Sequence, residues 1–191
     1  MLPIVLPDFA GSQFNLRLVK ALTQGNLPWA YRTGTMWPGY ALKARDPNAY
    51  DSPQLVHPLH DNGVPRSELC WAVDRLCGRL TEREGVYTEN IHRSKINLNM
   101  PNPMIPEGGH YMPHVDMPVT PHTVALYYPI DSDGDTVFFV EVDGALEEVG
   151  RVTPVADTLI YFDGSMMHAA EPPRKMPVRF SLNITLINKG Y

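Results

Sequence analysis

The chain has 191 residues, a formal net charge of −5, 43% apolar and 19% charged residues, and no block of lysines or arginines. That length suits one domain with a sizeable core, and without clustered basic side chains duplex nucleic acid is excluded as a main partner, because phosphate neutralisation requires them. No apolar run approaches the roughly 20 residues that span a bilayer. The apolar start, Met1 to Leu6, lacks a basic flank and is interrupted by Pro7-Asp8, so neither a signal peptide nor a membrane association is expected.

The first predicted element is a helix over Gln13 to Thr23, although Phe14, Leu16 and Leu18 also alternate as in a strand. Pro28 to Pro65 follows, rich in Pro, Gly, Asn and aromatics and without clear periodicity, which reads as a functional loop region or lid. Within it, Trp37-Pro-Gly-Tyr40 is a candidate substrate cover, and His57-x-x-His60-Asp61 reads as a surface or lid segment, since no ligand cluster accompanies it. Glu68 to Arg83 is the clearest helix: Leu69, Ala72, Val73, Leu76, Cys77 and Leu80 form one apolar stripe, with Ser67 as N-cap and Gly85 as stop. Cys70 and Cys77, seven helical residues and about 10 Å apart, are too distant for a disulfide, which fits a reduced, cytoplasmic protein.

From Val86 onward the pattern becomes short strands, expected near 91–99, 110–117, 122–130, 136–142, 146–153, 157–162, 166–170 and 178–187. Asp131-Ser-Asp-Gly-Asp135 and Asp143-Gly144 separate them as turns. The first of these faintly resembles a calcium loop, but Thr136 stands where such a loop needs Gly and Val142 where it needs Glu. With 19 Pro and 14 Gly in support, about eight short strands after an N-terminal helical part predict a mainly β protein, a double-sheet jelly roll. The whole chain, 1–191, is expected to form a single domain, with 1–90 as helical and loop support and 91–191 as the β core.

Chemistry concentrates in four residues. His114 and Asp116 are spaced as His-x-Asp, His168 lies 52 positions after Asp116, and Arg179 follows 11 positions later. Strand residues i and i+2 share a face about 6.6 Å apart, so His114 and Asp116 can converge on one ion that His168 reaches from a distant strand. Two imidazoles and one carboxylate that leave coordination positions open suit Fe(II) and oxygen chemistry. Arg179 and Ser181 share a face of the last strand, where an inward Arg needs a buried anion such as the carboxylate of a dicarboxylate co-substrate. His110 is in register with His114 and reads as a residue behind the ligands or as a ligand of a cupin-like variant; His92 and His122 read as ordinary strand or turn residues.

The stretch from Lys95 to Ile187 resembles the Fe(II)/2-oxoglutarate-dependent dioxygenases, most closely the prolyl 4-hydroxylase-like branch. The matching pieces are Tyr111-Met-Pro-His114-Val-Asp116, Thr123-Val-Ala-Leu-Tyr-Tyr128, Gly134-Asp-Thr-Val-Phe138, the run Val152 to Phe162, His168-Ala169 and Arg179-Phe-Ser181. The run from Asp131 to Phe138 also resembles small oxygenases encoded by bacterial viruses. The resemblance implies a double-stranded β-helix, Fe(II) on His114, Asp116 and His168, and 2-oxoglutarate on Arg179 with help from Tyr128 or Ser181. It also implies a polar co-substrate contact at Asn97, O2 as co-substrate, and ascorbate as a candidate reductant. The chain departs from the family in a longer insert, Pro101 to Gly109, in Pro129-Ile130, and in the turn Asp133-Gly134-Asp135; none of these touches a ligand position.

The expected reaction is hydroxylation of an unactivated C–H bond in a peptide, prolyl residues included, or in a small molecule, with succinate and CO2 as co-products. Asp116 speaks against a halogenase, which needs that position vacated for halide. Two rivals stay open: a cupin-type metalloenzyme that does not use 2-oxoglutarate, which would not need Arg179, and a non-catalytic jelly-roll binding module. The insert Pro101 to Gly109 leads directly into His114 and, with Pro28 to Pro65, is expected to border the site as a lid.

Overall fold

The computed structural model describes residues 2–34, 46–117 and 121–188. The elements in chain order are β1 (Ile4–Leu6), α1 (Ser12–Gln24), β2 (Ala30–Arg32), β3 (Ala49–Tyr50), β4 (Gln54–Asp61), β5 (Val64–Pro65) and α2 (Cys70–Glu84). They continue with β6 (Ile91–Asn99), β7 (His110–Tyr111), β8 (His122–Tyr128), β9 (Thr136–Val142), β10 (Ala145–Val152), β11 (Thr158–Asp163), β12 (Met167–Ala170) and β13 (Arg179–Ile187). The large sheet runs β1-β11-β8-β13-β6-β4-β2, with β5 paired to β4, and faces a smaller sheet, β10-β9-β12. The small sheet is extended by a single backbone bridge between His114 and His168. The result is the expected jelly roll.

Alternation explains the layering. In β13, Phe180, Leu182, Ile184 and Leu186 point to one face and Arg179, Ser181, Asn183 and Thr185 to the other. The apolar face packs on both helices: Leu18 and Leu22 of α1 and Ala72, Val73, Leu76, Cys77 and Leu80 of α2 are buried against it. Each such leucine contributes about 1.5–3 kcal/mol over its exposed state. Leu16 of α1 is 71% exposed, so the helical period, not the Phe14-Leu16-Leu18 alternation, describes that segment. On the opposite face Val124, Leu126, Tyr128, Ile160 and Phe162 meet Phe138 of the small sheet and close one end of the sandwich. The other end is left to polar side chains.

Several boundaries differ from expectation. Ser67 is not the N-cap of α2: Leu69 occupies that position, and the Ser67 hydroxyl accepts the Leu69 N–H at 3.1 Å and meets His57 Nε2 at 2.7 Å. Gly85 does end α2, at φ 67°, with its N–H on the Thr81 carbonyl at 3.0 Å. The strand expected over 110–117 is paired only at His110–Tyr111 and again at His114; Pro113, between them, has no N–H to give a ladder. Pro28 to Pro65 is not one long loop, since β4 lies in the large sheet between β6 and β2. His57 and His60 are accordingly buried, not surface residues, and are satisfied by the Pro28 carbonyl, Ser67 and Ser94. Trp37 and Tyr40 lie outside the described residues.

The N-terminus is fastened by Asp157, which sits at φ 59° just before β11. Its carboxylate accepts the N–H groups of Ala10 and Gly11 at 2.7 and 2.9 Å and the Tyr127 hydroxyl at 2.9 Å. Replacing Asp157 with Ala removes the acceptor of the buried Ala10 N–H and the half-buried Gly11 N–H, leaves the Tyr127 hydroxyl to Asn15 Oδ1 alone, and puts a Cβ without side-chain support at positive φ. Urea unfolding is expected to show a loss of about 3 kcal/mol, with Asp157→Asn, which tolerates the same backbone, losing less.

Candidate metal centre

His114 and His168 are a cross-strand pair. Each backbone N–H donates to the other's carbonyl, at 2.9 and 3.0 Å, and the two rings stand 4.8 Å apart on the inner face. Both imidazoles are oriented in the same way: His114 Nδ1 lies 3.1 Å from the Met112 carbonyl and His168 Nδ1 3.1 Å from that of Met166. A carbonyl can only accept, so each Nδ1 carries the proton and each Nε2 presents a lone pair. His114 and Asp116 do not share a continuous strand, yet the ligand atoms of His114, Asp116 and His168 all lie within 4.8 Å of one another. Among the described residues no other His, Cys, Asp or Glu group has this geometry.

Asp116 is 1% exposed and held from two sides. Arg93 donates to Oδ1 at 3.1 Å, and Asn183 Nδ2 donates to Oδ2 at 3.0 Å. Burial by itself would push the Asp116 carboxyl up, but His168, Lys95, His114 and Arg93 together bring it well below the usual carboxylate range. Burial brings His114 down to about 4, helped by the neighbouring His168, and burial also lowers His168. The three donors are therefore in the states a metal ion requires, a carboxylate and two neutral imidazoles. Residues holding ligands in place in this way tune a metal as well as orient it.

The cavity beside this group is lined by Gln54, Lys95, Asn97, Asn99 and Tyr111 on one side, and by His114, His168, Thr136, Arg179, Ser181 and Asn183 on the other. Arg179 is 2% exposed, and burial lowers its pKa. Its guanidinium donates to the Gly134 carbonyl and the Thr136 hydroxyl, each at 2.7 Å, and to Ser181 Oγ at 3.4 Å. Among the described residues no carboxylate lies within ion-pair distance of it. Asn97 Oδ1, Asn99 Nδ2 and Asn183 Oδ1, all buried, have no protein partner. A buried cation surrounded by unsatisfied polar atoms fits a small polar anion completing the site.

The site residues inferred from sequence are distributed as follows. His114, Asp116, His168, Arg179, Ser181 and Asn97 converge on this one cavity. Tyr128 is fully buried behind it, its hydroxyl 2.7 Å from Thr136 Oγ1 and its ring 5.7 Å from the Arg179 guanidinium carbon. Tyr111 lines the cavity itself, with hydrogen bonds to Ser52 and Asn99. Its signal, the fixed step to His114, was visible in sequence without a role attached. Arg93 also escaped sequence reading, because a single Arg in a strand gives no sign of the carboxylate it meets. His110 does not join the ligands: it pairs with Asp46 at 3.1 Å and packs on Phe139. The insert 101–109 is tied down, with Asn102 bonded to Ser52 and Arg174 donating to the Ile105 and Pro106 carbonyls.

No family model and no curated protein matches the sequence. Solved structures do match in fold. An oxidoreductase of the 2OG-Fe(II) oxygenase family from Burkholderia pseudomallei superposes with TM-score 0.64 at 17% identity, over 97% of this chain and 84% of that one. A Pseudomonas putida prolyl-4-hydroxylase gives 0.57 at 17% identity, over 97% and 92%. The non-heme α-ketoglutarate-dependent epimerase SnoN from nogalamycin biosynthesis gives 0.65 at 13% identity, over 97% and 77%. The chain thus has the fold of the Fe(II)/2-oxoglutarate oxygenases.

The depressed histidines have a measurable consequence. At pH 6 a pair of ordinary imidazoles would release about 1.5 protons on binding a metal. Here His114 is already neutral at that pH and His168 is shifted in the same direction. Calorimetry of Mn(II) binding in buffers of different ionisation enthalpy should therefore find a release of no more than about half that figure at pH 6. For the metal-free protein the same shifts place the loss of stability on the acid side: the unfolded histidines take up protons below about 6.5, the folded ones only at lower pH, and stability falls as pH drops from there toward the value of about 4 that burial gives His114.

Proposed function

We propose that this chain is an Fe(II)- and 2-oxoglutarate-dependent dioxygenase that hydroxylates an unactivated C–H bond. The observation that carries the reading is the meeting, on one cavity, of an open two-histidine, one-carboxylate set with a buried arginine that has no carboxylate partner. His114, Asp116 and His168 would hold the ion; Arg179, with Ser181 and Asn97, would hold the far carboxylate of 2-oxoglutarate. Fe(II) bound there supplies the oxidative chemistry, in which substrate, O2 and 2-oxoglutarate yield hydroxylated substrate, succinate and CO2.

The protein's own residues bind, orient and exclude water. Arg179 offers a fixed fork of donors, preorganised by Gly134 and Thr136, to an anion in a buried site, where charge-assisted bonds are strong. Arg93 and Asn183 occupy Asp116 and keep its carboxylate aimed. The Nδ1 contacts hold both rings with Nε2 toward the cavity. The fold neighbours span a prolyl-4-hydroxylase and an epimerase from nogalamycin biosynthesis, which supports the oxygenase class and leaves both peptide and small-molecule substrates within it.

His168→Ala should abolish succinate formation from 2-oxoglutarate while circular dichroism stays native; full turnover by that variant would overturn the ligand assignment. Arg179→Met removes one charge-assisted interaction of about 1.5–3 kcal/mol, so 2-oxoglutarate affinity should fall by roughly one to two orders of magnitude. Oxygen consumption indifferent to 2-oxoglutarate would instead favour a cupin-type enzyme without that co-substrate.

A further inference from the structure

The paired strands β6 and β13 present three rungs to the cavity, Asn99 with Arg179, Asn97 with Ser181, and Lys95 with Asn183, and a fourth, Arg93 with Thr185, continues the same face beyond it. Successive rungs are about 6.6 Å apart. Arg179 therefore stands two rungs, about 13 Å along the sheet, from Lys95. Lys95 shares its rung with Asn183, which bonds Asp116, so it flanks the metal group and not the Arg179 end. It lines the cavity and is half-buried, and among the described residues no carboxylate lies within 4 Å of its ammonium.

The three other cations near the site have defined surroundings. Arg93 is bonded to Asp116, Arg179 to Gly134 and Thr136, and Arg32 is exposed on β2 at the side of Lys95. A divalent ion with Asp116, a doubly charged co-substrate, Arg179 and Arg93 already leaves one net positive charge. Lys95 then adds positive charge beside the metal. Burial lowers its pKa to about 8, with Asp116 raising it against Arg93 and Arg32, so it is mainly protonated at neutral pH. A half-buried ammonium with no protein partner is costly unless an anion meets it.

We propose that Lys95 is a specificity residue that binds a carboxylate of the primary substrate, so that the chain oxidises carboxylate-bearing molecules at a carbon only a few bonds from that group. This rests on the dioxygenase reading and names its substrate class. Arg179 takes the co-substrate's anion and Lys95 the substrate's, one on each side of the metal ligands.

The test uses full-length protein loaded with Mn(II) and saturating 2-oxoglutarate. Acetate, butyrate and benzoate, their primary amides, and a capped peptide, acetyl-Gly-Asp-Gly-amide, are titrated in, and paramagnetic broadening of their proton resonances reports binding near the metal. At least one carboxylate should bind saturably and at least about tenfold more tightly than its amide. Lys95→Met should remove that preference, Lys95→Arg should keep it, and calorimetric affinity for 2-oxoglutarate should be the same in all three proteins. Binding of the free acids but not the peptide assigns a small organic acid; the reverse assigns an acidic peptide side chain. Equal binding of acid and amide to the wild type, or no saturable binding, overturns the proposal. So does a Lys95→Met variant that loses 2-oxoglutarate affinity as much as probe affinity, because Lys95 would then belong to the co-substrate. Absence of Mn(II) or 2-oxoglutarate binding in the wild type is seen before any probe is added and overturns the dioxygenase reading, and the proposal with it.

Discussion

Two backbone hydrogen bonds between His114 and His168 hold the site together. They join the segment after β7 to the edge of the small sheet at one residue pair, where Pro113 has already interrupted regular pairing. Because paired residues directly opposite one another in an antiparallel arrangement share a face, this bridge sends both imidazoles inward together. Asp116 reaches them from the loop that follows, where Arg93 and Asn183 on the central strands bond its carboxylate. The small sheet thus supplies the histidine pair, and the large sheet aims the carboxylate.

The central strands carry a conflict that the fold resolves by separating faces. β6 and β13 are surrounded by other strands, where both faces would ordinarily be apolar, yet one face carries Arg93, Lys95, Asn97, Asn99, Arg179, Ser181, Asn183 and Thr185. The opposite face, with Ile96, Leu182, Ile184 and Leu186 against the helices, supplies the apolar burial that offsets this polar interior. Tyr128, Leu126 and Phe138 then confine the polar zone to one end of the sandwich. The cavity is a consequence of this division.

Sequence alone revealed what depends on local period and missed what depends on distant partners. β6 and β9 begin and end where alternation predicted, and α2 follows its apolar stripe to Gly85. The His-x-Asp pair, His168 and Arg179 were readable because their residue types and order are unusual together. β4 was not readable: His57, Pro58 and His60 look like surface residues, and only Pro28, Ser67 and Ser94 make their burial tolerable. Tyr128 and Tyr111 show the same limit. Both are buried tyrosines, but only Tyr111 lines the cavity, while the Tyr128 hydroxyl is engaged by Thr136. Which tyrosine meets a ligand is decided by strand packing across the sandwich and has no signature in one dimension.

The polar face also links folding to binding. Arg179 is buried with neutral partners only, Asp116 is ionised in a buried site, and Asn97, Asn99 and Asn183 each retain an unsatisfied atom. The buried arginine and the unsatisfied atoms cost stability in the ligand-free chain, by about 1–3 kcal/mol for an unsatisfied buried polar atom. None is a defect of packing, because they point into one cavity and complement one another in charge. A cation at the histidine pair and an anion at Arg179 that bound the folded state alone would add to its stability with the logarithm of how far their concentrations exceed their dissociation constants. The sandwich is held by its apolar face, while the opposite face keeps these groups unsatisfied. A chain that satisfied these groups internally, with an acid beside Arg179, would be more stable and would lose the charge pattern of the cavity.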